Sequence, residues 1–252
     1  MFLKYHKFYL LPKSVEIRTT LRFGGVSKKP FDGGSGKLGL NLGLNVGDSY
    51  NNVIVNRKEL YKKLPSKPVW LNQVHGSEVI DISNLSINSF PTADSSFTYK
   101  KNIICVILSA DCFPILISDT KGKVVGAIHG GWKSISDGII EKTILTMRNY
   151  CSDELIVWIG PGITSEHYEV GEDFYDVFLS KNKLFKKAFK KKINTKTKFF
   201  ADLPLIIQEI LTSLNIKKIC NSNYCTFSNN EKFFSYRKEK KTGRMASMIW
   251  IK

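Results

Sequence analysis

Three side chains in this sequence have the types, and the kind of address, to do chemistry together. Of the four histidines, two share a setting. His75 lies in Trp70-Leu71-Asn72-Gln73-Val74-His75-Gly76, and His129 lies in Ala127-Ile128-His129-Gly130-Gly131-Trp132-Lys133. Each is followed by glycine, where a ligand or substrate can approach the backbone closely. Cys112 stands in Ser109-Ala110-Asp111-Cys112-Phe113-Pro114, at the break between two apolar runs. All three mark a junction between a buried element and a loop, where functional groups concentrate. Singly, a thiol or imidazole in such a place is an ordinary packing residue. Jointly, one thiolate and two imidazoles compose a three-ligand zinc site with an open fourth position. Such a site activates water or polarises a substrate oxygen. The same trio also admits a metal-free reading, with Cys112 as nucleophile and a histidine as its base. A copper reading is open as well, since two imidazoles and a thiolate are the blue-copper donors. Spacing alone does not separate the three. A multicopper oxidase, whose clusters need many more imidazoles than four, is excluded. Asp111 is expected either to orient an imidazole from behind or to cap a turn.

The elements that must position these groups alternate between strand and helix patterns. Lys28 to Gly47 is glycine-rich and reads as an extended loop or hairpin. Asn52 to Leu64 reads as a helix ended by Pro65 and Pro68. Asn102–Ser109, Ile115–Ser118, Lys123–Ile128 and Leu155–Ile159 are apolar, β-branched runs of strand length. After His129 a helix is expected, capped by Ser136 or Asp137, with Ile139, Ile140, Ile144, Leu145 and Met147 on its apolar face. Helices around Glu172–Leu179 and Leu203–Leu214 precede a final strand pair, Lys232–Arg237 with Arg244–Trp250. The expectation is an α/β fold in one domain spanning residues 1–252, with mixed sheets covered by helices.

Bulk composition narrows the function classes. The hydrophobic share of 42% suffices for a packed core. No apolar run reaches the roughly 18 residues of a membrane span, and the amino terminus lacks a signal-peptide pattern, so a cytoplasmic protein is expected. Five scattered cysteines with no CxxC pair fit a reducing compartment. The net charge of +16 invites a nucleic-acid partner. Of the 38 basic residues, however, only six are arginine, the side chain that base readout and bidentate phosphate capture favour. The densest run, Lys181 to Lys198, carries Leu184, Phe185, Ala188 and Phe189 at helical spacing and reads as an amphipathic helix with a solvated basic face. No nucleic-acid or membrane partner is expected.

Five ordered segments carry a resemblance. They are Pro68 to Gly76, Ser109 to Pro114, Ala127 to Lys133, Trp158-Ile159-Gly160-Pro161-Gly162-Ile163, and Phe233 to Arg237 with Thr242 to Ser247. Together they resemble the YfiH-like family, variously called laccase-domain polyphenol oxidase, peptidoglycan editing factor and multifunctional purine nucleoside phosphorylase. The likeness runs from about Arg22 to the carboxyl terminus. It implies an α/β/β/α sandwich related to Cys-His hydrolase-like toxins, with His75, Cys112 and His129 as the catalytic and zinc-binding trio, copper being the lesser alternative. It implies phosphorolysis of adenosine, inosine, guanosine and methylthioadenosine, plus adenosine deamination, in a monomer or small homo-oligomer. The alternative is an editing hydrolase that removes a wrong amino acid, serine, from a UDP-muramoyl cell-wall precursor. For phosphorolysis, Arg22, Arg57 and Lys133 are candidate phosphate or substrate ligands. Asn41, with Asn72 and Gln73, would read a nucleobase edge or satisfy turn backbone. The H-x-E with P-C-x-x-C signature of zinc nucleobase deaminases is absent. His6 and His167 read as structural or surface residues.

Overall fold

The computed structural model describes residues 1–3, 10–195 and 197–252; His6 lies outside them. In chain order the elements begin with β1 (Val15–Thr19), β2 (Phe23–Ser27), α1 (Tyr50–Tyr61), β3 (Val79–Asp81) and β4 (Ser95–Thr98). The central stretch holds β5 (Cys105–Ser109), β6 (Phe113–Asp119), β7 (Val125–Gly130), α2 (Trp132–Ser136), α3 (Ile139–Arg148) and β8 (Leu155–Ile159). Then come β9 (Glu169–Gly171), α4 (Glu172–Lys181), β10 (Phe189–Lys191), β11 (Lys198–Ala201), α5 (Leu203–Ser213), β12 (Lys218–Asn221), α6 (Tyr236–Glu239) and β13 (Met245–Ile251).

Period-two alternation sorts these strands into layers, because successive side chains leave a sheet on opposite faces. A three-stranded antiparallel sheet runs β1-β13-β5, and a six-stranded mixed sheet runs β12-β8-β6-β7-β4-β3. Ile17, Cys105, Ile107, Ile249 and Ile251 of the first sheet pack on Leu116, Val125, Ala127 and Trp158 of the second. The intervening residues Val106, Ala246, Met248 and Trp250 point the other way, against Leu60 of α1 and against Leu40 and Leu42. On the far face of the larger sheet, Ile115, Ile117, Ile128, Val157 and Ile159 meet the apolar sides of α3, α4 and α5. The result is helix, sheet, sheet, helix, the α/β arrangement expected from the sequence. A small sheet, β10-β11-β9, closes one end. No helix among the described residues is long and apolar enough to cross a membrane.

Three local expectations are corrected. The run from Lys181 to Lys198 is not one amphipathic helix. A 3-10 turn over Lys183–Ala188 gives way to β10, because Phe185 and Ala188 are buried three apart while Leu184 is 64% exposed, a spacing that 3-10 geometry serves. Phe189 then pairs with Ala201 in the sheet. The helix expected from a cap at Ser136 or Asp137 is α3, but its cap is the left-handed Gly138 and the short α2 precedes it. Leu145, expected on its apolar face, faces solvent. The final strand pair is also absent. β13 already has β1 on one edge and β5 on the other, so no edge is left for Lys232–Arg237. Phe233 and Phe234 are both fully buried, without alternation, and the chain continues into α6.

Candidate active site

Strand register brings the trio together. Phe113 of β6 pairs with Gly130 of β7, so Cys112 and His129 sit at adjacent ends of neighbouring strands. Ser95 of β4 pairs with Ile128 on the other side of β7, which sets Asp94 beside His129. The backbone nitrogen of His129 donates to the Asp94 carbonyl at 2.7 Å, and its Nδ1 meets Asp94 Oδ1, also at 2.7 Å. The same carboxylate accepts from the backbone N–H groups of Val74, His75 and Gly76 at 3.0, 3.0 and 2.8 Å. One buried carboxylate thereby folds the His75 turn onto the His129 strand. His75 takes a left-handed backbone, φ 59°, in this turn. The two imidazole rings are 4.7 Å apart, centre to centre.

The donor atoms of His75, Cys112 and His129 all lie within 4.8 Å of one another, and Cys112 Sγ is 3.9 Å from His75 Nε2. Tetrahedral zinc on such donors separates them by about 3.5 Å, given Zn–S and Zn–N bonds of about 2.3 and 2.0 Å. The Cys112–His75 separation is within a few tenths of an ångström of that, and the His75 side chain is exposed and free to adjust. Nδ1 of His129 is engaged with Asp94, which leaves Nε2 to face the site. A carboxylate behind a metal-binding imidazole is the usual supporting arrangement. This donor chemistry fits one metal ion. Among the described residues it is the one His/Cys/Asp/Glu group so disposed.

The electrostatics point the same way. Burial alone would raise the Cys112 thiol, but the His129 charge, with hydrogen bonds from both imidazoles, brings it down to about 6. Burial would lower His129, yet the Cys112 charge and the Asp94 hydrogen bond push it up to about 9. Burial likewise works against the Asp94 carboxylate, and the bond from His129 with the backbone donors outweighs it, holding its pKa below the ordinary value. The cluster favours a thiolate, the form that ligates metal or attacks an electrophile.

Two lobes of a cleft meet at the trio. The first, about 520 Å³, is lined by Asn45, Arg57, Asn72, Phe90 and Arg244 together with all three trio residues. The second, about 450 Å³, is lined by Trp132, Lys133, Tyr168, Arg237 and Lys240, and shares His75, Cys112 and Tyr236 with the first. Burial and the Cys112 charge push the Tyr168 hydroxyl up, so it stays a protonated donor on the wall of the second lobe.

The remaining residues singled out in the sequence divide sharply. Arg57 lines the first lobe and Lys133 the second. Arg22 lines neither. It is 1% exposed, ion-paired to Glu239 at 2.9 Å, and donates to the carbonyls of Asp32 and Asn230. It therefore straps the glycine-rich loop to α6 and does not reach the cleft. Asn41 spends its amide internally, accepting from the Gly43 and Arg244 backbone and donating to Gly43 O and Asp48, which leaves nothing for a base edge. Gln73 exchanges two bonds with the Leu108 backbone. Asn72 donates to Thr92 and lines the first lobe. Asp111 does not touch an imidazole. Its carboxylate accepts from Thr226 Oγ1 and the Arg237 backbone, both at 2.6 Å, so it fixes the turn. His167, stacked on Phe227 and bonded to Ser228, stands apart from the trio. Asp94, Arg244 and Tyr168 are the site residues that sequence reasoning missed. Asp94 precedes a strand with no motif around it, and only pairing of β4 with β7 gives it a role.

Comparison with known proteins identifies the family and the fold. Residues 16–252 match the family described as multi-copper polyphenol oxidoreductase laccase. The chain belongs to that laccase-domain, YfiH-like family. A Haemophilus influenzae relative called purine nucleoside phosphorylase is 38% identical over 96% of both chains. The Escherichia coli K12 protein called purine nucleoside phosphorylase YfiH is 36% identical over 95% of each. Among solved structures, a Neisseria meningitidis protein superposes with TM-score 0.88 at 31% identity, covering 100% of this chain and 98% of its own. A Bacillus licheniformis protein called hypothetical protein YfiH superposes with TM-score 0.85 at 27% identity, covering 94% and 93%. The likeness to the YfiH-like family thus spans both sheets and every element that positions the trio.

Proposed function

We propose that the protein is a zinc-dependent purine nucleoside phosphorylase acting on adenosine, inosine, guanosine and methylthioadenosine, with adenosine deamination as a second activity. The observation that carries this reading is the convergence of His75, Cys112 and His129 within 4.8 Å where two lobes of a cleft meet. The names given to its relatives supply the reaction. His75, Cys112 and His129 are the catalytic and metal-binding residues. A bound zinc ion would supply Lewis acidity toward a substrate or water oxygen. Asp94 holds the proton on Nδ1 of His129 and so keeps Nε2 directed at the centre. Arg57 and Lys133 are the cationic contacts on the two walls. Phosphorolysis breaks the bond between the ribose anomeric carbon and the purine nitrogen and forms a carbon–oxygen bond to phosphate. The departing base needs a hydrogen-bond donor, and the protonated Tyr168 hydroxyl on the wall of the second lobe can serve.

Incubation of zinc-loaded protein with adenosine and phosphate is expected to yield adenine and a ribose phosphate, with some inosine. Chromatography that finds neither base nor sugar phosphate sinks the proposal. A Cys112→Ala variant is expected to lose both activities and the metal together.

A further inference from the structure

Arg57 and Arg244 line the first lobe beside the trio, and neither makes an ion pair among the described residues. Arg57 is 6% exposed. Its Nε and Nη2 both donate to the Leu42 carbonyl, at 3.0 and 2.9 Å, and its guanidinium lies 3.8 Å over the Trp70 ring. Nη1 is left over. Arg244, partly buried, gives Nη1 to the carbonyls of Thr242 and Gly243, each at 3.0 Å. Its Nε and Nη2 are left over. The same short segment holds both residues. Leu42 accepts from Arg57 through its carbonyl and donates to the Arg244 carbonyl through its nitrogen at 3.2 Å, while Asn41 fixes the Arg244 nitrogen.

Carbonyls and an aromatic face orient a guanidinium without neutralising it. Arg22 shows the alternative within the same chain, since its buried charge has Glu239 and Asp32 as partners. Burial lowers the pKa of Arg57 to about 10 and lowers that of Arg244, and both stay protonated at neutral pH. A buried and a partly buried cation on the wall of one lobe, with unused donors and no carboxylate in ion-pair contact among the described residues, are costly unless an anion joins them. The Cys112 and Asp111 charges act on Arg244 without pairing with it. Planar forks anchored in this way are the usual receptors for phosphate-type oxygens.

We infer that Arg57 and Arg244 form an oxyanion subsite on the first lobe, built to hold a phosphoryl-type dianion next to the His75–Cys112–His129 centre. Its part in catalysis rests on the phosphorolysis reading, but its existence does not. The anion is either free phosphate or a phosphoryl group carried by the substrate, and the two share the same recognition chemistry.

The direct test is labelling of the purified wild-type protein with an arginine-specific dicarbonyl, read peptide by peptide by mass spectrometry. Inorganic phosphate is expected to protect Arg244 at least tenfold, while chloride at equal ionic strength does not. Calorimetric titration with phosphate then follows on Arg57→Lys and Arg244→Met, with Lys62→Gln as a surface control. Affinity is expected to fall at least tenfold in the first two and to hold in the control. Arg57→Lys keeps a cation over Trp70, which guards against a variant that fails to fold. Protection by a nucleoside monophosphate but not by inorganic phosphate supports the subsite and assigns it to a substrate-borne group. Protection by neither overturns it. Phosphate binding at Arg244 without nucleoside cleavage leaves the subsite standing and removes the phosphorylase reading. Cleavage of nucleoside by a protein whose Arg244 phosphate never shields overturns the subsite alone.

Discussion

At neutral pH the Cys112 sulfur is an anion, because two imidazoles more than offset the cost of burying its charge. In metal-stripped protein its alkylation rate should rise as pH passes about 6, where an ordinary cysteine waits until about 8.5. The sign follows from the thiolate being the reactive form, which accumulates above the pKa. A rate profile that climbs only above pH 8 would contradict the pairing with His129. Asp94 is the other decisive residue, since its carboxylate serves four donors, three from the His75 turn and one from His129 of β7. Replacing it by Ala should weaken metal retention by about 10- to 100-fold, and Asp94→Asn, which keeps one acceptor oxygen, by less. Competition with a chromophoric chelator reads both. The trio was legible in the sequence because imidazoles and thiols at strand ends are scarce and chemically distinctive. Asp94 was not, because its importance lies entirely in what the neighbouring strand brings to it.

At the scale of elements, the centre is made by strand ends and two tight turns. Gly131 follows β7, and a Cβ there would sit 2.8 Å from His75 Cδ2 and 3.6 Å from Cys112 Sγ. Gly131, the second glycine after His129, makes room for the opposing imidazole. Gly131→Ala should therefore displace His75 and lower metal content while leaving the fold intact, which circular dichroism and metal analysis separate. Full metal occupancy in that variant would show that the His75 turn is looser than drawn. The glycine-rich loop after β2 works by similar indirection. Arg22 and Asn41, expected at the substrate, brace α6 and the Arg244 backbone instead, so their effect on the cleft passes through Tyr236 and Arg244. Local pattern could not reveal this, since a buried arginine and a surface one look alike in a glycine-rich stretch until their partners are known.

At the scale of the molecule, two sheets back to back provide a stiff floor for the cleft. Leu116 is 1% exposed and packs between the sheets, on the strand that follows Cys112. Leu116→Ala should destabilise the protein by about 2–5 kcal/mol, read as a lowered urea midpoint, with metal content preserved below the transition. Loss of metal before unfolding would mean that the sheets couple to the site more tightly than packing suggests.

The strand and helix patterns, the apolar alternation and the three metal-capable side chains were set by sequence alone, because each depends on neighbours along the chain and on residue type. Which carboxylate backs His129, which arginines face the cleft and which are sealed by acids, and whether a lysine-rich run is helix or strand were decided only in three dimensions. Those outcomes depend on pairing between segments up to some two hundred residues apart, as between Arg22 and Glu239. Register and burial fix such pairs, and no local periodicity encodes them.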